Sequence, residues 1–229
     1  MTFLIVSCET DKYADSITEV RYDFDLVRMI NVKNDINVIL VQDSLNYISV
    51  SAPEEMQELV KPEFKGDTIA LTNNNKGKIL NRYGYEVTVE VHFTDLKVLF
   101  LQGGGKISNI DTIQLDYLGI WTNGATGQMH MNCEIGNIHL GLSTGNIEMV
   151  LKGKTDFLEI WTTSYVVMDF LELDSKKVSI RNNSPTDCYV NVQEHLVSNV
   201  QSVGNVYYKG NPPVLEIKET GKGKTIKLQ

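Results

Sequence analysis

Leu118-Gly119-Ile120-Trp121-Thr122-Asn123-Gly124 and Leu158-Glu159-Ile160-Trp161-Thr162-Thr163-Ser164 are one phrase written twice, and 161 − 121 = 40 residues separate the tryptophans. In both copies two aliphatic residues alternate with other types, the pattern of a strand with one buried face. A triplet of small or short polar residues follows, which suits a tight bend. Working outward, the residue before each corner is Gln102, Trp121, Leu142, Trp161, Arg181 and Gln201, at steps of 19, 21, 19, 20 and 20. Three residues further on stand Gly105, Gly124, Gly145, Ser164, Ser184 and Gly204, all small. Leu99 with Leu101 and Val178 with Ile180 repeat the alternation. The third turn reads Ile138, Leu140, Leu142, shifted by one residue, and so predicts a bulge near Gly141. After the corners come second strands at 106–107, 128–131, 147–151, 166–170, 188–192 and 206–208.

Strand, corner, strand and return within about twenty residues make one coil of a parallel β-solenoid, in which like residues stack at about 4.8 Å. An antiparallel sandwich also turns every ten residues or so. Six consecutive turns sharing one small column favour the solenoid. The expected fold class is therefore all-β. A strand-rich region at 17–95 leads into the coils and covers their first open end, the coils occupy 96–212, and a last strand or tail fills 213–229. Within the lead-in, strands are expected at 20–26, 36–41, 48–50, 69–71 and 87–93. Ser51-Ala52-Pro53-Glu54-Glu55 opens a short helix that Pro62 ends, and 72–78 is a polar loop. In the tail, Lys218, Lys222, Lys224 and Lys227 are of the type that discourages edge-to-edge pairing.

Composition narrows the function. The 229 residues carry 21 Lys and Arg against 29 Asp and Glu, a net charge of 21 − 29 = −8, which opposes approach to nucleic acid. A hydrophobic content of 42% suffices for a core. No apolar run is long enough for a membrane-spanning helix, so membrane contact is expected only through an anchor. That anchor is suggested at the start. Ile5-Val6-Ser7-Cys8 has the form of a bacterial lipobox ending on the cysteine that takes lipid, and the polar Glu9, Thr10, Asp11 and Lys12 follow as a tether. Only seven residues precede Cys8, without Lys or Arg, and the apolar run 3–6 is short for a signal. Residues 1–16 thus read as a truncated lipoprotein signal and tether whose native start lies upstream, the alternative being a buried cysteine. Cys133 and Cys188 lack any metal-binding or redox spacing and are expected as free buried thiols.

Further phrases carry a resemblance. Residues 24–50, then Ala52-Pro53 and Gly66-Asp67-Thr68-Ile69, lead into Gly136-Asn137-Ile138 and Gly145-Asn146-Ile147. The close is Gly204-Asn205-Val206-Tyr207-Tyr208-Lys209-Gly210-Asn211-Pro212. Over roughly residues 20–215 the chain resembles the putative auto-transporter adhesin family, head GIN domain. The resemblance implies a right-handed parallel β-helix in a secreted or lipid-anchored protein of a diderm bacterium, at the outer membrane or cell surface.

Catalytic readings are weak by comparison. Gly141-Leu142-Ser143-Thr144-Gly145 matches GxSxG, but the alternating Ile147-Glu148-Met149-Val150 offers no helix behind Ser143. His92, His130, His139 and His195 lack ligand spacing, and His139 is expected to pair with Glu159 one coil on. Asp156, Asp174 and Asp187 recur out of phase, which argues against a polysaccharide lyase or hydrolase on this scaffold. Catalytic residues, metal and cofactor are expected to be none. Trp121 and Trp161 remain, with Arg181 in the same pre-corner position. With Leu118, Ile120, Leu158 and Ile160 inward, both indoles face outward about 10 Å apart, beside Gly119 and Gly141. Such a patch suits a glycan or an extracellular protein, the alternative being that the entry segment or the tail folds over the two indoles. The expected protein is a non-enzymatic adhesin or ligand-binding lipoprotein; a polysaccharide-processing enzyme and a purely structural envelope component are the alternatives.

Overall fold

The computed structural model describes residues 17–74 and 87–229. Cys8, the rest of 1–16 and the end of the polar loop lie outside the described residues. The described residues form seventeen strands. The first seven are β1 (Ile17–Asp23), β2 (Met29–Lys33), β3 (Asn37–Gln42), β4 (Tyr47–Pro53), β5 (Glu63–Lys65), β6 (Thr68–Thr72) and β7 (Thr88–Phe93). Then come β8 (Val98–Gln102), β9 (Lys106–Asn109), β10 (Ile113–Thr122), β11 (Ala125–Leu142), β12 (Gly145–Thr162), β13 (Val167–Asn182) and β14 (Cys188–Val200). The last are β15 (Val206–Lys209), β16 (Val214–Glu219) and β17 (Thr225–Lys227). The short helix after Pro53 is a 3-10 turn over Glu54–Leu59.

From β8 onward each strand pairs in parallel with the strand about one coil later, so the chain winds as the expected β-solenoid and not as a sandwich. Two inward columns show the stacking. Leu118, Ile138, Leu158, Val178 and Leu196 lie one above another, and beside them Ile120, Leu140, Ile160, Ile180 and Ser198. All ten are buried. On the next face Met129, Met149, Met168 and Cys188 form a third column. Because each coil covers the one below, aliphatic side chains meet their counterparts at strand spacing and are removed from water on every side.

The predicted bulge at Gly141 is absent. Ile138 and Leu140 pair in step with Leu118 and Ile120 on one side and Leu158 and Ile160 on the other. Hydrogen-bond register sets the columns, and in that register Gly141, not Leu142, stacks on Trp121. The irregularities fall elsewhere, between Val150 and Gly153, between Phe170 and Asp174, and between Ser175 and Lys177. The small corner column is likewise displaced. Ala125, not Gly124, pairs with Gly145. The Ser164 hydroxyl then donates to the Gly145 carbonyl at 2.7 Å and the Ser184 hydroxyl to the Ser164 carbonyl at 2.5 Å. Gly204 N–H continues the ladder to the Ser184 carbonyl.

The lead-in has a topology of its own. β2 and β3 are already one coil, stacked against β8 and β9. The chain then runs outward, so that β6 and β7 lie on the far side of β2 and β3. Antiparallel β4 and β1 extend the sheet beyond β7, and β5 lies antiparallel to β6. Ile48, Val50, Met56 and Val60 are buried there, so this end of the stack is closed. Cys133 and Cys188 are free and buried. Burial pushes the Cys133 thiol up to about 12. It pushes Cys188 up as well, with the Asp169 and Asp187 carboxylates adding to the effect. Neither thiol is a nucleophile at neutral pH.

Candidate binding face

One outward column on β8, β10, β11, β12 and β13 reads Phe100, Trp121, Gly141, Trp161, Arg181. The alternation that buries Leu118, Ile120, Leu158 and Ile160 turns these residues to solvent. Trp121 is 37% and Trp161 48% exposed, and neither is covered by the described residues of the lead-in or the tail. Gly141 supplies the floor. A Cβ there would lie 2.1 Å from Cε3 of Trp121, so that indole occupies the space a side chain would need. On the other side a Cβ at Gly119 would lie 3.0 Å from Trp121 Nε1. The two glycines therefore let the ring lie along the sheet.

Arg181 completes the row. Its guanidinium carbon is 5.4 Å from the centroid of the Trp161 ring, within cation–π range. Among the described residues its guanidinium makes no hydrogen bond or ion pair, although the chain is acidic overall. The row lines an open cleft of about 450 Å³, bounded along the corner by Asn123, Ser143, Thr163, Asn183 and Gln201. The Ser143 hydroxyl donates to the Thr122 carbonyl at 2.5 Å and the Thr163 hydroxyl to the Ser143 carbonyl at 3.0 Å, so both hydroxyls tie corners of successive coils. Ser143 of the GxSxG phrase is thus a ladder residue. Asn183 and Gln201 hold exposed amides at the rim.

Beside the row, His139 Nδ1 lies 3.2 Å from Glu159 Oε2, the pairing its spacing predicted. Its ring meets Tyr117 edge-on at 5.2 Å and Phe157 at 6.0 Å. The three aspartates do not converge. Asp156 pairs with Lys176 at 2.6 Å, Asp174 accepts from Gln193, and Asp187 accepts from the Asn205 backbone N–H and amide. Each fastens neighbouring coils at a separate place. The Asp156 carboxylate raises the Lys176 ammonium above its usual range. Phe100 escaped notice in the sequence because Gln102 fills the pre-corner position of its turn. The signal was there, since Leu99 and Leu101 flank Phe100 and turn it outward.

Solved structures share this architecture. A putative adhesin of Bacteroides fragilis superimposes with a TM-score of 0.84 at 16% identity, over 94% of this chain and 99% of that one. A putative adhesin of Parabacteroides merdae gives 0.63 at 16% identity over 94% and 97%. A putative lipid binding protein of Parabacteroides distasonis gives 0.63 at 15% over 94% and 98%. At such identities the likeness is one of fold. No curated protein resembles the sequence closely enough to match. A family profile, the putative auto-transporter adhesin, head GIN domain, matches residues 28–212, most of the chain, and the protein belongs to that family.

Proposed function

We propose that this chain is a non-enzymatic binding module displayed at a bacterial cell surface, and that the Trp121–Trp161–Arg181 face holds its ligand, an acidic glycan. The observation that carries this reading is the row itself: two half-exposed indoles two coils apart, a glycine floor between them, and an unpaired guanidinium at one end. Indole faces stack on the C–H faces of sugar rings, removing apolar area from water without a deep pocket. The rim amides of Asn183 and Gln201 suit sugar hydroxyls. A cation without a counter-ion favours a carboxylate or sulfate, and Arg181 offers a fork that either group fits.

The test is a glycan array carrying uronic acid, sialylated, sulfated and neutral sugars. The parent chain is compared with the Trp121→Ala/Trp161→Ala double variant. Both indoles are exposed, so the double variant is expected to fold normally by circular dichroism. Binding to the acidic hits is expected to weaken about 10- to 100-fold, two stacking contacts being removed. Equal binding of every hit by parent and variant would remove this face from the function.

Display at the surface is proposed to rest on lipid at Cys8. Mass spectrometry of the protein from its native membrane should show an acylated peptide beginning at Cys8. One acyl chain gives marginal attachment, so more than one is expected on the same residue. An unmodified peptide running through Cys8 would end this part of the proposal.

A further inference from the structure

The two ends of the stack are built differently. The first is closed by the antiparallel β4, β1 and β5. At the other end β16 pairs with β14 alone and β17 with β15 alone among the described residues. All six residues of β16 are exposed. Leu215 and Ile217 continue the inward columns of Leu196 and Ser198, yet they are 45% and 47% exposed because no coil among the described residues covers them. Core positions left in water beside a free strand edge make a template for another strand.

We propose that this end is a self-association surface, on which two copies meet tail to tail with β16 antiparallel to β16 about a two-fold axis through Ile217. The occupant follows from the charge pattern. β16 reads Val214-Leu215-Glu216-Ile217-Lys218-Glu219, with Glu216 and Lys218 placed symmetrically about Ile217. Antiparallel pairing centred on Ile217 sets Glu216 of each copy opposite Lys218 of the other, twice, on the outer face. The registers that keep the same faces inward but are centred one residue away set Glu216 opposite itself or Lys218 opposite itself. Opposite charges directly across a ladder stabilise it and like charges oppose it. A surface complementary to itself is what a two-fold interface requires. Across the join Ile217 of one copy meets Ile217 of the other, and Leu215 lies diagonal to that Ile217 and opposite Glu219, whose carboxylate Lys224 already holds, so the apolar contact is centred on the axis.

The tail lysines were expected to keep this edge apart. Three of the four do not stand in the way. Lys224 is held by Glu219 at 2.8 Å, Lys227 by the Asn211 amide oxygen at 2.6 Å, and Lys222 lies between the strands. The fourth, Lys218, is the one the two-fold register pairs. Glu216 Oε1 faces His195 Nε2 at 2.9 Å, which leaves its second oxygen for the partner copy.

The test is the mass of the full chain in solution by light scattering or sedimentation, with thiols kept reduced. A species of twice 25.8 kDa is expected, in concentration-dependent exchange with monomer. Glu216→Lys and Lys218→Glu should each weaken dimerisation about tenfold or more, because each places two like-charge pairs across the axis. The double exchange Glu216→Lys/Lys218→Glu should restore it. Circular dichroism checks that the variants stay folded, and these exposed positions give no reason for failure. A parent that stays monomeric at about 100 µM overturns the proposal. So does a dimer indifferent to all three variants, a dimer that the double exchange fails to restore, or open-ended filaments, which would mean head-to-tail stacking.

Discussion

Gly145→Ala is expected to destabilise the protein by about 2–6 kcal/mol, from about 1–3 of backbone strain and about 1–3 of overpacking. Gly145 has φ +120°, a conformation that residues with a side chain rarely adopt. The added methyl would also lie 2.0 Å from the carbonyl oxygen of Ala125, one coil below. That neighbour is backbone and cannot swing aside, and the coils are stitched at this corner by the Ser164 hydroxyl on the Gly145 carbonyl. Thermal unfolding followed by circular dichroism should show Tm lowered by roughly 5–20 °C, at a few degrees per kcal/mol for a chain of this length. Gly124→Ala separates the two causes. Gly124 has φ +76° but nothing within 4 Å of its would-be Cβ, so only the strain applies. Equal losses for the two variants would show that stacking contact at the corner contributes nothing.

That corner also marks how far the sequence could be read. The period was legible because each coil must bend with small residues, and the two Ile-Trp-Thr phrases fell two periods apart. The phase was not. Counting from the bends set Gly124, Leu142 and Gln102 in columns that Ala125, Gly141 and Phe100 occupy. Coils from β12 to β14 differ in length by up to three residues and absorb the difference in bends and register shifts, while the hydrogen-bond ladder holds the straight segments in line. Alternation within a strand proved the better guide, and it turned Trp121 and Trp161 outward correctly. The reversed course of β6 and β7 around β2 and β3 left no periodic trace, because those pairings join segments unrelated by any repeat. At the binding face the row of residues was visible, but not the isolation of Arg181. That depends on how the coils place side chains around it, which the repeat alone does not give.

The two proposals reinforce each other. β1 lies beyond β7 at the closed end of the stack and β16 at the open end. A tail-to-tail pair therefore sends the two Ile17 ends to opposite poles and carries one tryptophan face on each half. Shallow stacking sites bind weakly one at a time. Two of them on a rigid body gain avidity only where a ligand repeats at their spacing, as along a polymer. Variants that abolish dimerisation without touching Trp121, Trp161 or Arg181 would then keep their affinity for short glycans and lose it for long ones.

Asn182→Val should cost about 2–5 kcal/mol, even though it places an aliphatic group in a buried column that already holds Leu142 and Val200. Thr122, Leu142, Thr162, Asn182 and Val200 stack in register, so valine one coil later already fits the space. Asn182 is fully buried, and its amide does the work of a turn. Oδ1 accepts from the Ser184 N–H at 3.1 Å, and Nδ2 donates to the carbonyls of Gly204 at 3.2 Å and Thr186 at 3.4 Å. Valine would strip these groups of that partner in a place water does not reach, at about 1–3 kcal/mol for each one left unpaired. The apolar transfer gained, about 1 kcal/mol, is too small to offset that. Thr122→Val in the same column is the control. The Thr122 hydroxyl is buried with no hydrogen-bond partner among the described residues, so its removal should leave Tm unchanged or raise it. Both variants end in valine in the same column: Thr122→Val keeps the shape and removes an unpartnered hydroxyl, whereas Asn182→Val removes an amide that makes three hydrogen bonds. If chemical denaturation finds Asn182→Val as stable as the parent, aliphatic stacking alone holds the coils and the polar corners are incidental.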